Sequence, residues 1–166
     1  MVVTTEKGHV GEHLLMAELL YRGFDSYLGS RNNPSFDLAC FWNETSRASR
    51  LRVKTTHNGN AVWSVKKKTG LIFNDVDECD DFVCVVDLKD GIRNPGFYII
   101  PTKRVESDLK ADHEFYVSFP KADGSPRKQE QGMCTIRFFG EDKPTNRGYA
   151  YDQKYCDFRD NWDQLK

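Results

Sequence analysis

At 166 residues, 39% hydrophobic and 30% charged, the chain is long enough to bury a sizeable core unaided, and its composition is that of a folded domain. A net charge of −1 argues against a general polyanion binder. No apolar run approaches the roughly 20 residues of a membrane span. The first residues lack a basic stretch leading into an apolar one, so a cytoplasmic protein is expected.

The stretch from Gly8 to Arg22 reads as a helix ended by Gly23. Glu18, Arg22 and Gly11 mark its polar side, and Glu18 can pair with Arg22 at i,i+4. Val10, Leu14, Met16, Ala17, Leu19, Leu20 and Tyr21 fill most of the remaining arc. Glu12 falls inside that arc, where a carboxylate is costly unless it is paired or holds a metal. The alternative is that Glu12 complements the helix dipole from solvent. His13 shares the arc, and a lone histidine there is more often a core residue than a ligand. His9 and His13 are four apart, but the glutamate spacing of a zinc-protease helix is absent.

Phe24 to Leu28 fits a short strand, and the next six residues form a loop by their turn chemistry. Phe36 to Trp42 is apolar with Asp37 as its only charge, which predicts a buried strand. A polar turn, Asn43 to Ser49, leads into a strand from Arg50 to Thr56. A hairpin turn centred on Thr45-Ser46 sets Asp37 opposite Lys54. Arg52 and Lys54 then share the face of Asp37, while Leu51, Val53 and Thr55 point toward a helix layer. A slip of one residue would break this pairing.

Further strands are expected at Ala61 to Lys67, Phe82 to Leu88 and Phe97 to Ile100. Thr102 is placed to cap a short helix running through Asp108. Glu114 to Phe119 and Met133 to Phe139 read as outer strands around a polar loop, Lys121 to Gln131. In the tail, Phe158, Trp162 and Leu165 have helical spacing. They either close the core or form a homodimer interface. This order predicts an α/β fold, a central mixed sheet flanked by helices. One domain over residues 1–166 is expected, with a core of about 8–101 and a C-terminal elaboration of about 102–166.

Five cysteines (Cys40, Cys79, Cys84, Cys134 and Cys156) contain no CxxC pair and read as reduced, buried thiols. Between Glu44 and Gly70 lie Arg47, Arg50, Arg52, Lys54, Lys66, Lys67 and Lys68, with Glu44 as the only acid. An acidic run from Asp75 to Asp90 follows. The basic flank suits a phosphate backbone; otherwise it is a solvated hairpin beside an acidic loop. Trp63, ahead of the three lysines, either stacks on a nucleotide or packs in the core.

Glu12 on a helix, Asp37 on one strand and Lys54 on the next supply the parts of a metal-dependent phosphodiesterase. Hard cations such as Mg²⁺ take carboxylate and carbonyl oxygens. Glu12, Asp37 and the backbone carbonyl of Val53 offer three. Lys54 can orient the water and stabilise charge on the phosphate. In these residues the chain resembles the PD-(D/E)xK nuclease superfamily, of restriction-endonuclease-like fold, over about residues 8–101. Pro34-Ser35-Phe36-Asp37 is similar to the PD half-motif, and Arg52-Val53-Lys54 to the (D/E)xK half-motif at its lysine. Gly11-Glu12, Leu19 to Phe24, Phe36 to Ala39 and Val53 to Thr56 look like the Holliday-junction-resolvase-like branch.

The resemblance implies an Mg²⁺- or Mn²⁺-dependent endonuclease acting on DNA. Catalysis would fall to Glu12, Asp37 and Lys54, and metal binding to Asp37, Glu12 and Val53. Arg52, Thr55, Thr56, Lys66 and Lys67 would hold substrate. Arg52 departs from the pattern, which usually carries an acid or glutamine there. A guanidinium about 5 Å from a divalent cation is repelled by about 6 kcal/mol at an effective dielectric of about 20, an upper bound because arginine can swing away. Glu12 then replaces the lost ligand, or Arg52 grips a phosphate, or the fold is kept as an inactive module that binds nucleic acid or a protein partner.

Overall fold

A computed structural model describes residues 4–30, 33, 35–45, 47–65, 71–73, 75–76, 80–127, 132–137 and 155–166. Helix α1 (Thr4–Tyr21) begins four residues before the expected Gly8. It stops at Gly23, whose φ of 88° is costly for any residue with a Cβ. Its buried stripe is Gly11, Leu15 and Leu19, with Leu14 and Met16 on the flanks. Leu20 and Tyr21 stay 49% and 87% exposed, and His13 faces out rather than into the core. A helix lying on one sheet buries a stripe narrower than the apolar arc of its sequence.

Five strands form the main sheet: β1 (Phe24–Leu28), β2 (Leu38–Trp42), β3 (Arg47–Thr56), β5 (Asp81–Asp87) and β6 (Gly96–Pro101), adjacent in that order. Neighbours run antiparallel except β3 and β5, which are parallel. The sheet is therefore mixed and lies between helices, as its element order predicts. Strand β5 is buried along its whole length, as a near-continuous apolar run requires. A separate two-stranded sheet pairs β4 (Asn60–Ser64) with β7 (Met133–Arg137), Trp63 opposite Cys134.

The β2–β3 hairpin pairs Leu38 with Leu51 and Trp42 with Arg47, two residues away from the expected register. Strand β3 starts early because Arg47 is anchored, pairing with Asp80 and donating to the carbonyls of Gln164 and Lys166. A shift of two preserves facing. Leu51 and Val53 still pack toward α1, and Arg52 and Lys54 still look the other way, toward Phe73 and Trp63.

Residues 114–119 are not an outer strand. Helix α2 (Thr102–Ser118) runs through nearly all of them. Phe115 and Phe119 satisfy a period of four as well as a period of two, and their rings meet at 4.9 Å. Nor does Thr102 cap that helix: Pro101 is the N-cap, without a side-chain bond, and the Thr102 hydroxyl donates to Asp81 instead.

Two hydrophobic cores lie on opposite faces of the main sheet. On the α1 side, Leu15 and Leu19 meet Phe24, Leu38, Leu51 and Val86. On the α2 side, Val105 and Leu109 meet Val83, Val85, Ile100 and Ile136. The tail forms two 3-10 turns, Cys156–Phe158 and Trp162–Leu165, instead of one helix. Trp162 and Leu165 are buried in the first core and Tyr155 in the second, while Phe158 packs beside Tyr155. Among the described residues no helix is long and apolar enough to cross a membrane.

Candidate active site

Asp37 sits just before β2, where the chain enters the sheet. Its N–H donates to the Leu51 carbonyl at 2.9 Å, and its carboxylate accepts the Val53 N–H at 2.7 Å. The carboxyl is thereby fixed against the strand that carries Lys54, although it is not cross-strand from it. Burial holds its pKa above the usual 3.8; the Val53 N–H opposes this, Glu12 reinforces it, and Lys54 and Arg52 oppose it. All these groups lie within electrostatic reach of one carboxylate.

Glu12 reaches the site from α1. The helix can lie close on β3 because residue 11 is glycine: a Cβ there would overlap the Thr55 hydroxyl oxygen. Thr55 Oγ1 also donates to the Gly8 carbonyl at 3.3 Å, fastening the first turns of α1 to β3. The Glu12 side chain is 25% exposed and meets His9 Nδ1 at 3.3 Å.

Lys54 projects from the other face of β3. Burial lowers its pKa, and Asp37 partly restores it. Its ammonium lies 5.8 Å from the ring centre of Trp63, within cation–π range. Trp63 is 7% exposed, so it belongs to the core rather than to an open stacking surface.

Arg52 shares the face of Lys54 but gives its guanidinium to Asp81. It is buried and forks onto Asp81, Nε to Oδ1 at 2.9 Å and Nη2 to Oδ2 at 2.9 Å. The fully buried Asp81 carboxylate also takes Arg50 at 3.2 Å and the Thr102 hydroxyl at 2.5 Å. The charge that would repel a cation is thus paired inside the fold, though it still acts on Asp37. In the sequence Asp81 merges with the acidic run, and only its position at the head of an apolar strand sets it apart.

Thr56 is buried and donates to Asn58 Oδ1 at 3.3 Å. Lys66 and Lys67, and Pro34 of the PD half-motif, lie outside the described residues. So do Cys79 and the middle of the acidic loop. Burial pushes the Cys40 thiol up to about 12 and the Cys134 thiol up to about 11, which keeps both protonated.

Among the described residues no three His, Cys, Asp or Glu side chains form a metal-binding group. The acidic part of the site is two carboxylates, Glu12 and Asp37, that feel each other's charge.

The chain superposes on a bacterial homing endonuclease, I-Ssp6803I, with a TM-score of 0.53 and 17% identity, covering 98% of this chain and 91% of that one. The two share a fold. At that identity the likeness concerns backbone architecture, not residues. No family model and no curated protein sequence matches the chain.

Proposed function

We propose that the chain is a DNA endonuclease of the PD-(D/E)xK type, with Glu12, Asp37 and Lys54 as its catalytic residues. The observation that carries this reading is a placement: the Asp37 carboxylate is held at 2.7 Å on the Val53 N–H, next to Lys54 in the chain, and α1 is seated on β3 at Gly11, next to Glu12; the raised Asp37 and lowered Lys54 pKa values agree with it. Perturbed groups of opposite sign held together off the surface are what catalytic sites are built from. The shared fold with a homing endonuclease agrees with it.

Asp37 and Glu12 would hold Mg²⁺ or Mn²⁺, with the Val53 carbonyl as a third oxygen. The donor set fits: Mg²⁺ is commonly held by one or two carboxylates and keeps several waters. Bound there, the ion would polarise the phosphodiester and acidify a water. The chain's own residues do the rest. The Val53 N–H fixes the Asp37 carboxylate, and Lys54 presents its ammonium to the phosphate and the water. Trp63 holds that ammonium in place. Thr55 and Thr56 act through position, since their hydroxyls are engaged within the fold. Arg52 supports the sheet through Asp81 instead of touching substrate.

The test is cleavage of plasmid, branched and single-stranded DNA with Mg²⁺ or Mn²⁺, comparing wild type with Asp37→Ala and Lys54→Ala. Loss of cleavage in both variants is expected; full activity in both rejects the assignment.

One observation favours a second reading, an inactive binding module: position 52 carries an arginine bound to Asp81, and among the described residues no third acidic side chain joins Glu12 and Asp37. Calorimetric titration with Mg²⁺ separates the two. Binding that Asp37→Ala abolishes supports the enzyme, and no heat at millimolar Mg²⁺ supports the module.

A further inference from the structure

The face of β1 and β2 turned away from α1 carries no helix among the described residues. Asp25, Tyr27, Ala39 and Phe41 point out from it, because Asp25 pairs with Phe41 and Tyr27 with Ala39. They line an open groove of about 760 Å³ that extends to Gly29, Phe36 and Asn43. Tyr27 is 58% exposed and Phe41 37% exposed, and their rings meet edge to face at 5.9 Å.

The groove adjoins the segment of chain that carries Asp37. Phe36 immediately precedes Asp37, and the Gly29 N–H donates to the Asp37 carbonyl at 2.7 Å. The wall of the groove and the carboxylate are therefore held by the same piece of backbone. From Asp37 to Ala39 is about 7 Å along an extended chain and to Phe41 about 13 Å, a span of one or two nucleotides.

We infer that this groove receives an unpaired nucleobase next to the scissile phosphate, stacked on Tyr27 and Phe41. The inference rests on the nuclease reading and adds a substrate class, DNA with single-stranded character at the cut. The chemistry of the lining selects the base end of a nucleotide. Aromatic faces accept any base. The Asp25 carboxylate repels phosphate but accepts from exocyclic amines, and the Asn43 amide can both donate and accept.

The experiment uses the full chain and three DNAs, a fully paired duplex, a forked duplex and a single strand, each with 2-aminopurine near the junction or centre. Titration without divalent metal reads affinity and fluorescence quenching; added Mg²⁺ reads cleavage. Tyr27→Ala with Phe41→Ala is expected to weaken single-strand and fork binding about tenfold or more and to abolish quenching. Duplex binding should be unchanged, and Tyr27→Phe should retain quenching. Both positions are exposed, so the variants keep the fold, which circular dichroism verifies.

The inference is overturned if the double variant quenches like wild type, or if it loses duplex and single strand equally. A wild-type dimer that becomes monomeric in the double variant by light scattering also overturns it, since a second copy would then occupy the groove. Cleavage that survives in any of these cases leaves the nuclease reading standing. A chain that binds and cuts no DNA sinks both.

Discussion

Asp81 and Asp37 flank the same strand, β3, from opposite sides, and their surroundings differ in kind. Asp81 is fully buried, and its two oxygens meet Arg52, Arg50 and Thr102. Asp37 is half-buried, receives the Val53 N–H, and shares its space with another carboxylate. The first aspartate is satisfied. The second is left with its pKa raised, beside a lysine whose pKa is lowered. Saturated charge holds a fold together; charge held short of saturation is available to a ligand.

The largest effect should come from breaking the satisfied cluster. Asp81→Ala takes the carboxylate away from the buried Arg52 guanidinium, and urea unfolding should show a loss of about 3–5 kcal/mol. A cost below about 1 kcal/mol would mean the pair is no more than a surface contact and would erase the contrast.

At the other aspartate the expectation inverts. Asp37→Asn keeps an oxygen for the Val53 N–H and removes a disfavoured charge. Its unfolding midpoint should equal or exceed that of wild type, while cleavage falls about a hundredfold or more, the scale of losing one electrostatic stabiliser. A variant both destabilised and active would place Asp37 among the structural residues.

Gly11→Ala tests how the acid on α1 reaches β3. The new methyl overlaps Thr55 Oγ1, so about 1–3 kcal/mol should be lost, as for other overpacked sites. Adding Thr55→Ala should return part of it. A tolerated Gly11→Ala would show that the helix does not need this close approach.

The smallest effect is a pH dependence. A carboxyl whose pKa is raised by folding holds its proton more tightly in the folded state, so acidification favours folding. The stability of wild type relative to Asp37→Asn should therefore rise as pH falls through the raised Asp37 value toward 3.8, and stay flat above that window. A difference that falls over the same window contradicts the burial of this carboxyl.

Much of the fold was legible because its signals are local. Gly23 stops α1, the apolar run of β5 announces a central strand, and the polar turn before β3 announces a hairpin. The register was not, because Arg47 is fixed by Asp80 and by the carbonyls of Gln164 and Lys166, partners far along the chain. The same holds for Arg52, which looked like an obstacle to a cation until Asp81, 29 residues on, was found to hold it. The end of α2 misled for another reason: Phe115, Val117 and Phe119 alternate like a strand while Phe115 and Phe119 also fit a helix. For the site, the sequence offered three residue types in order. The approach of Glu12 depends on how tightly α1 lies on β3, which Gly11 and Thr55 decide together.

The closing turns of the chain bear on how the protein is made. Trp162 meets the Phe97 ring at 5.2 Å and the Arg22 guanidinium at 4.5 Å, Leu165 is completely enclosed, and the Gln164 amide donates to the Ile99 carbonyl. All of these partners leave the ribosome before the segment that covers them. The half-built chain must wait with Phe97 and the end of α1 open to water, so a chain cut short ahead of Tyr155 would be a sticky intermediate, a natural client for chaperones.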